Sequence, residues 1–326
     1  MKKIALLPTL FLVFTLLMTS CSTEVDNYAD YKDISIVYGM VEPGVDTTWI
    51  KVTKAFLGPG NALLIAKIPD SSNYQLFPKV VLKRRKNNVD LPDIVLDTIT
   101  INNKLAGDSV FYFPQQLMYF TTAAVDAAAE YTLHIEKANG ETITATTPVV
   151  QSFDVIYPSN RINFHSTATG RISFMTAKEG KRYEVNLSFH YKELRPGNPD
   201  TLFKTMNWGM GMKRSVSLSG GEEIDISYTG ADFYSRLGQS LENIDNVKRW
   251  AGKVDVTISC GADQLSTYID VNAPSNSIVQ EIPEFTNIEN GYGIFSSRRD
   301  AVRTYQLAVG SELKLLEFNW GFVVNR

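Results

Sequence analysis

The chain has 326 residues and a formal net charge of −3; 44% of the residues are hydrophobic and 21% are charged. This length is enough for two domains at roughly 100–200 residues each, and the composition excludes general disorder, which needs low hydrophobicity and high net charge. The near-neutral charge argues against nucleic acid as a partner, because phosphate recognition needs a broad basic surface.

The first twenty residues have the pattern of a lipoprotein signal peptide. Two lysines precede an apolar run over residues 4–18, which is shorter than the ~20 residues of a membrane-spanning helix. The run ends in the sequence MTSC, which resembles the bacterial lipobox, where the cysteine is acylated. We predict a signal peptide over residues 1–20 and lipidation at Cys21. The alternative is an ordinary secretory signal with an incidental cysteine.

The residues after this cysteine predict where the protein is held. Ser22 stands where an aspartate would favour the inner membrane, so the prediction is an outer-membrane protein that contacts the membrane through its N-terminal lipid. Residues 21–32 are polar and acidic, which is typical of a flexible tether. The acidic residues loosely resemble the export tags of surface lipoproteins, so exposure at the cell surface is a further expectation.

Residues 33–150 predict an immunoglobulin-like β-sandwich. Apolar and polar residues alternate in short runs separated by turn residues, and about seven such strands fit a sandwich. Asn139-Gly140 between two alternating runs is a strong hairpin signal. A short helix is expected over residues 61–68, stopped by Pro69. The clearest strands are expected over residues 34–41, 47–55, 79–83, 94–101, 131–136 and 141–150.

Residues 151–326 predict a second β-rich domain, either a sandwich or barrel-like, that carries one amphipathic helix. The helix is indicated by Phe233, Leu237, Leu241 and Ile244, which share one face at a period of 3.6 residues. Thr229, three residues before Asp232, supplies a cap at its start. Residues 273–300 are expected to be irregular. Strands are expected over residues 182–194, 201–208, 215–218, 223–228, 253–260 and 265–271.

Residues that usually carry chemistry do not cluster in the sequence. His134, His165 and His190 each alternate with apolar neighbours and are interpreted as surface histidines. Cys260 shares a strand face with aliphatic residues and is interpreted as a buried free thiol. No nucleophile or metal-ligand motif is recognisable. We therefore predict a non-enzyme, and assign no catalytic, cofactor-binding or metal-binding residue and no cofactor.

One strand has an unusual composition, with methionine and tryptophan on one face and glycine or asparagine on the other. Two interpretations are open. The strand belongs to a core, and its glycines allow another segment to approach closely; or its apolar face is an adaptable surface on which a partner packs. The second interpretation makes a candidate interaction surface of Met206, Trp208, Met210 and Met212.

Three segments resemble a known family: residues 36–41 (IVYGMV), 54–62 (KAFLGPGNA) and 285–295 (FTNIENGYGIF). Together with the lipobox they are similar to an uncharacterised, domain-of-unknown-function family of β-rich Bacteroidota outer-membrane lipoproteins, often encoded near TonB-dependent receptors. The resemblance implies an outer-membrane accessory or binding protein whose ligand is unknown. It carries over no catalytic residue.

The leading functional hypothesis is therefore a non-enzymatic, lipid-anchored binding or accessory protein that works beside a transporter. Its partner would be a TonB-dependent receptor or another outer-membrane protein. A second hypothesis is a cell-surface adhesin or glycan-binding module, since four tryptophans and fifteen tyrosines are available for stacking on sugars. A third is an uncharacterised hydrolase.

Overall fold

The computed structural model describes residues 33–56, 61–107, 110–164, 169–273 and 284–324. The chain is mainly β, with 49% of residues in strands and 14% in helices. The strands of the described residues form three open sheets, none of them closed into a barrel. The predicted fold class, a mainly β chain of sandwich type, is confirmed.

Sixteen strands and five helices make up the described part of the chain. The strands are β1 Ser35–Val41, β2 Thr48–Lys54, β3 Lys79–Lys86, β4 Val89–Val95, β5 Asp97–Ile101, β6 Gln116–Thr121, β7 Glu130–Glu136, β8 Thr142–Thr147, β9 Val155–Tyr157, β10 Arg161–Ile162, β11 Thr169–Met175, β12 Arg182–Leu194, β13 Thr201–Arg214, β14 Glu223–Thr229, β15 Lys248–Gly261 and β16 Gly291–Leu307. The helices are α1 Ala62–Ile65, α2 Pro69–Ser72, α3 Gly230–Ser240, α4 Asp263–Val271 and α5 Val309–Glu317.

One large sheet runs through the whole molecule. Its strand order is β13-β12-β15-β16-β1-β2-β6-β5, and β10 adds to β16. The two smaller sheets have the orders β4-β3-β7-β8 and β14-β11-β9. The first contributes buried side chains to the same apolar cluster as β1, β2 and β6, and the second to the same cluster as β12, β13 and β15. The fold therefore consists of two sandwiches that share one sheet.

Each sandwich has its own apolar cluster. The N-terminal core includes Val37, Val41, Ile50, Val52, Leu82, Tyr119, Tyr131, Leu133, Ile135 and Phe295. The C-terminal core includes Phe164, Phe174, Tyr183, Leu187, Phe189, Trp208, Phe233, Leu237, Val256, Ile258 and Tyr305. The chain passes from the first core to the second between Val149 and Val150. The predicted domain boundary at residues 150 and 151 stays a prediction, because β16 serves both cores.

Strand β16 joins the two sandwiches. Its first seven residues pair in parallel with β1, Ser35 opposite Gly291 and Val41 opposite Ser297. Residues 298–305 then pair with β15 of the other sandwich. Gly293 has φ +111°, and a Cβ there would lie 2.0 Å from the carbonyl oxygen of Val37. This glycine permits the close approach of β1, so the expectation that residues 273–300 are irregular is wrong from residue 291 onwards.

The register of β1 defines two ends of the molecule. The entry end, where the described chain starts at Asp33, carries the connections 55–78 and 102–115 and the turn 137–141. The far end holds the C-terminal core and the last residues of β16.

Several elements agree with the sequence pattern. Strand β12 has the predicted bounds, and its five alternating apolar side chains from Tyr183 to Tyr191 are buried. Helix α3 is capped as expected, with the amide of Asp232 donating to Oγ1 of Thr229 at 3.1 Å. The hairpin at Asn139-Gly140 forms, but only Gly140 has positive φ, in a three-residue loop closed by Lys137 and Glu141.

Other elements differ from the predictions. Residues 265–271 belong to helix α4 instead of a strand, because Leu265, Tyr268 and Ile269 also fit the i, i+3, i+4 spacing of a helix. Residues 215–218 form no regular strand. Helix α3 ends at Ser240, so the predicted stripe stops before Leu241 and Ile244. The described residues of the second half form three helices, α3, α4 and α5, where one was expected.

Candidate functional site

A pocket of about 330 Å³ opens at the entry end, on the outer face of the large sheet. Side chains of β1 and β2 that point away from the N-terminal core form its floor, and the connections that follow β2 and β5 form its walls. Its size lies within the range typical of small-molecule sites. We call it the aromatic–lysine pocket. Its main lining residues are Ile36, Tyr38, Lys51, Thr53, Lys54, Phe56, Asn73, Lys104, Phe111, Tyr112 and Gln116.

The walls are held in place by contacts between two connections that are far apart in sequence. The backbone amide of Tyr112 donates to the carbonyl of Ala66 at 3.1 Å. Phe56 and Phe111 pack edge to face with ring centroids 6.5 Å apart. Asn61 caps helix α1 by accepting from the amide of Leu63 at 2.9 Å, and Pro69 begins helix α2 instead of ending the segment. The pocket is thus built from short, mutually supported turns.

The charged side chains among the described lining residues are all lysines. Lys51 donates to Oε1 of Gln116 at 3.0 Å, and Lys104 donates to the carbonyl of Tyr112. Burial lowers the pKa of Lys51, and the nearby charge of Lys104 lowers it further. Two ammonium groups that disfavour each other beside aromatic rings suit an apolar ligand with an anionic group, since an anion would relieve the repulsion.

A second concave surface lies at the far end, on the exposed face of the large sheet. Four side chains on four adjacent strands form a hydrogen-bonded row: Thr205 lies 2.9 Å from Nδ1 of His190, Nε2 of His190 lies 3.0 Å from Asp255, and Thr304 donates to Asp255 at 2.5 Å. Burial would raise the pKa of Asp255, but the hydrogen bonds from Thr304 and His190 outweigh it and lower the pKa.

Aromatic side chains flank this polar row. Phe203 is 80% exposed, and it shares a cross-strand row with Lys192 and Trp250. The ammonium of Lys192 lies 5.7 Å from the ring centre of Phe203. Together they border a groove of about 570 Å³, which we call the sheet groove. Exposed rings beside fixed hydrogen-bonding groups can stack on a sugar ring and bind its hydroxyls.

The sheet groove also bears on hydrolytic chemistry. The order hydroxyl, imidazole, carboxylate in Thr205, His190 and Asp255 is that of a nucleophile with an oriented base. Acyl transfer additionally needs free N–H donors at the oxyanion. The backbone of β12 pairs with β13 on one side and with β15 on the other, except at His190, where the register with β15 shifts between Phe189 and Tyr191. The regular pairing on either side of His190 uses the neighbouring amides of β12 in the sheet.

The structure places the predicted site residues in different environments. Met206 and Trp208 are 3% and 6% exposed and belong to the C-terminal core, while Met210 and Met212 are half-buried further along β13. This burial supports the core-strand interpretation for the first two, because buried side chains offer no surface to a partner. A β-bulge at residue 210 opposes Val185 and Asn186, and Gly211 takes φ +125° there.

The cysteine and histidine residues considered in the sequence differ in how deeply they are buried. Cys260 is fully buried and free, and burial raises its pKa to about 12. His134 and His190 are half-buried, and His190 is held in the polar row. Cys21 and His165 lie outside the described residues.

Two general features complete the picture of the described residues. They contain no group of three or more histidine, cysteine, aspartate or glutamate side chains placed to hold a metal ion. Within the same ranges, no helix has the length and apolarity needed to cross a membrane.

Comparisons with known proteins give no family assignment. No family model matches the chain, and no curated protein matches it. Among solved structures it is similar to the C-terminal globular domain of an oligosaccharyltransferase from Pyrococcus abyssi, with 10% identity, 68% of this chain covered and a TM-score of 0.25; the match spans 48%, about half, of that domain. A cytokine receptor complex matches with 8% identity, 84% and 99% coverage and a TM-score of 0.18. Neither likeness carries information on function.

Sequence reasoning missed the aromatic–lysine pocket. Its residues come from stretches 36–56, 72–73 and 104–116, and no motif spacing connects them. One local signal was present, namely the aromatic triplet Phe111-Tyr112-Phe113 in a connection that otherwise reads as polar. Contiguous exposed apolar residues of this kind can mark an interaction site.

Proposed function

We propose that this chain is a lipoprotein of the outer membrane, anchored at Cys21, whose body binds a small apolar anion in the aromatic–lysine pocket without turning it over. The observation that carries the binding proposal is the placement of Lys51 and Lys104 beside Phe56, Phe111 and Tyr112 in one cavity. Aromatic walls supply apolar contact area, and the ammonium groups fix the orientation of the anion.

Titration with 2-naphthalenesulfonate, an aromatic anion, tests the pocket by calorimetry. We expect saturable binding that weakens about tenfold or more in Lys51→Ala, because a hydrogen bond to a charged group is lost. The matched control is Lys67→Ala, an exposed lysine of the connection after β2 that does not line the pocket. Equal affinity of parent and Lys51→Ala would contradict the proposal.

The pH dependence of this binding follows from Lys51. Burial and Lys104 lower its pKa, so Lys51 loses its charge at lower pH than an ordinary lysine, whose pKa is 10.5. Anion affinity should therefore fall as the pH rises toward that value, and fall earlier than in a site made of exposed lysines. An affinity independent of pH over this range would argue against a role for Lys51.

The anchor is tested separately. Cys21→Ser should release the protein from membranes, and mass spectrometry of the parent should find acyl chains on Cys21. Recovery of Cys21→Ser in the membrane fraction, washed with carbonate, would defeat the proposal of a lipid anchor.

The resemblance to lipoproteins encoded near TonB-dependent receptors supports a partner in the same membrane. We propose that the protein works beside such a receptor or another outer-membrane protein. Purification of the tagged, lipidated protein from solubilised outer membranes should recover the partner in a stoichiometric complex. Recovery of the protein alone under mild detergent would count against an accessory role.

A glycan-binding role is the second candidate, and the sheet groove favours it. Trp208 is buried, so the relevant aromatic residues are Phe203 and Trp250, next to the hydrogen-bonded His190 and Asp255. A glycan array should show binding that Trp250→Ala and Phe203→Ala abolish and Val216→Ala, an exposed apolar residue outside the groove, leaves unchanged. An array without signal would remove this candidate.

A further inference from the structure

The entry end exposes large apolar side chains on two neighbouring connections. Leu76 and Leu105 are 71% and 70% exposed. We call residues 61–77, 104–107 and 110–113 the apolar loops. Their exposed apolar residues are Leu63, Leu64, Ile68, Leu76, Phe77, Leu105, Val110, Phe111 and Phe113.

The apolar loops form one surface. The amide of Tyr112 in the second connection donates to the carbonyl of Ala66 in the first. Their strands also bring them together, because β2 and β5 both end at the entry end and both pair with β6. Exposed apolar residues gathered in one place on a soluble surface mark an interaction site.

This surface lies where the described chain begins. The hydroxyl of Tyr74, between helix α2 and β3, donates to Oδ1 of Asp33 at 3.2 Å and lies 2.5 Å from Oγ of Ser35. The amide of Ala55, just before the first apolar loop, donates to the carbonyl of Ile34 at 2.8 Å. The ammonium of Lys137, a residue that is 6% exposed, donates to the backbone carbonyl of Asp33 at 2.8 Å. Asp33 is thus fixed among the residues that carry the apolar loops.

The length of chain before Asp33 keeps this surface close to any anchor at Cys21. Residues 21–32 can span at most about 40 Å when fully extended, at ~3.3–3.6 Å per residue. Strand β16 starts at the entry end and rises about 55 Å towards the far end, at about 3.3 Å per residue. A lipid at Cys21 would therefore lie nearer to the apolar loops than to the far end of β16 and the C-terminal core around it.

We propose that the apolar loops are a membrane-docking surface that seats the entry end on the lipid bilayer. Leucine and phenylalanine side chains enter the boundary between headgroups and acyl chains, and the exposed Lys67 reaches phosphate groups beside them. This proposal rests on the proposed lipid anchor. The anchor holds the protein at the membrane, and the apolar loops determine which end of the protein faces the bilayer.

Docking on lipid also gives the aromatic–lysine pocket a place. The pocket shares Lys104 and Phe111 with the apolar loops of the connection after β5, so it opens beside the docked surface. The sheet groove lies at the far end and is directed away from the membrane. An anion with an apolar body, such as a lipid-like molecule, would reach the pocket along the bilayer surface.

Vesicle binding of the unlipidated protein tests this surface independently of the anchor. The chain without residues 1–20 and with Cys21→Ser is sedimented with vesicles of phosphatidylethanolamine and phosphatidylglycerol. We expect binding that falls roughly tenfold or more when Leu63, Leu64, Leu76 and Leu105 are all replaced by serine, since each removes exposed apolar area that would leave water. None of these four residues lines the pocket.

A matched control carries serine at exposed apolar residues elsewhere, Val216, Val302 and Val309, which are 86%, 62% and 60% exposed. We expect this variant to bind vesicles like the parent. A parent that does not bind, or an equal loss in the control, would overturn the proposal. So would a dimer of the parent that the four serines dissociate without vesicle binding, which would assign the surface to a second copy of the chain.

A second measurement does not depend on the fourfold variant folding. An environment-sensitive dye is attached at Leu76→Cys and, separately, at Val216→Cys. On addition of vesicles the dye at residue 76 should shift to the blue and the dye at residue 216 should not. No shift at residue 76 would overturn the docking surface. Sulfonate binding in the pocket is measured without vesicles, so failure of the proposed ligand site leaves this result intact.

Discussion

The two ends of the molecule use apolar side chains in opposite ways. At the far end the aromatic residues of the C-terminal core face inward, although Phe203 of the sheet groove is exposed. Phe164 and Phe233 stack at 3.8 Å, and Arg249 and Glu193 form an ion pair although each is only 2% exposed. At the entry end leucines and phenylalanines face outward around an open pocket. The difference divides the molecule into a far end closed around its core and an entry end with exposed apolar area, where the proposed contacts with ligand and membrane lie.

The strongest test of this division acts on the strand that connects the ends. Gly293→Ala should lower the free energy of unfolding by about 3 kcal/mol or more, because overpacking and backbone strain each cost about 1–3 kcal/mol. Its Cβ would meet the carbonyl of Val37. Urea unfolding measures the loss, and both ends should unfold in one transition.

Gly310→Ala is the control for this substitution. A Cβ at Gly310 meets nothing within 4 Å, and the residue lies in helix α5, where alanine is favoured over glycine. Its stability should equal or exceed that of the parent. Two separate transitions in Gly293→Ala, with the far end unchanged, would show that the ends are independent.

The next largest effect is expected at the buried ion pair of the far end. Arg249→Ala should cost about 3–5 kcal/mol, because it breaks a buried ion pair and leaves the carboxylate of Glu193 with Arg195 alone. Arg249 also donates to the carbonyls of Trp320 and Glu242. Chemical denaturation gives the value, and Arg171→Ala, which removes an exposed pair with Asp225, should cost less than about 1 kcal/mol.

A smaller effect is expected with pH. Burial would raise the pKa of Glu193, but hydrogen bonds from Arg195 and Arg249 outweigh burial and lower it. A carboxyl group with a lowered pKa stabilises the folded state above its ordinary pKa of 4.5, and the contribution is lost as the pH falls through the lowered value. Unfolding free energies measured from neutral to acid pH should fall less steeply in Glu193→Gln than in the parent.

The smallest effect is expected for chemical modification of Cys260, which reports whether the core at the far end opens to solvent. Burial raises the pKa of this thiol to about 12, and the thiolate is the reactive form. In a Cys21→Ser background, iodoacetamide should not alkylate the folded protein over hours and should alkylate it completely in denaturant. Rapid alkylation of the folded protein, seen by intact mass, would mean that the far end opens locally.

The sequence predicted the elements whose partners are close or whose pattern has one interpretation. The alternation of β12 and the capping of α3 by Thr229 are local signals, and both were identified. Residues 265–271 fit both a strand and a helix, and only tertiary packing decides between them. The sequence of residues 291–293, with glycine at both ends, resembles a turn. That Gly293 belongs to a strand becomes clear only when its close neighbour Val37 is known.

The candidate site was less predictable than the fold. The unusual apolar pattern of Met206 and Trp208 made them candidates for an interaction surface, yet both side chains are buried in the C-terminal core. Lys51 and Phe111 are unremarkable in the sequence and meet only because β2 and the connection after β5 end on the same side of the sheet. A binding surface assembled from separate connections has no characteristic residue spacing in the sequence by which it could be predicted.

The parallel pairing of β1 with β16 also fixes an order of events during synthesis. Residues 35–41 cannot find their neighbours at 291–297 until almost the whole chain has been made, and contacts this distant in sequence form slowly. Phe295, a fully buried part of the N-terminal core, arrives with them. The first sandwich therefore stays incomplete until residues 291–297 have been made.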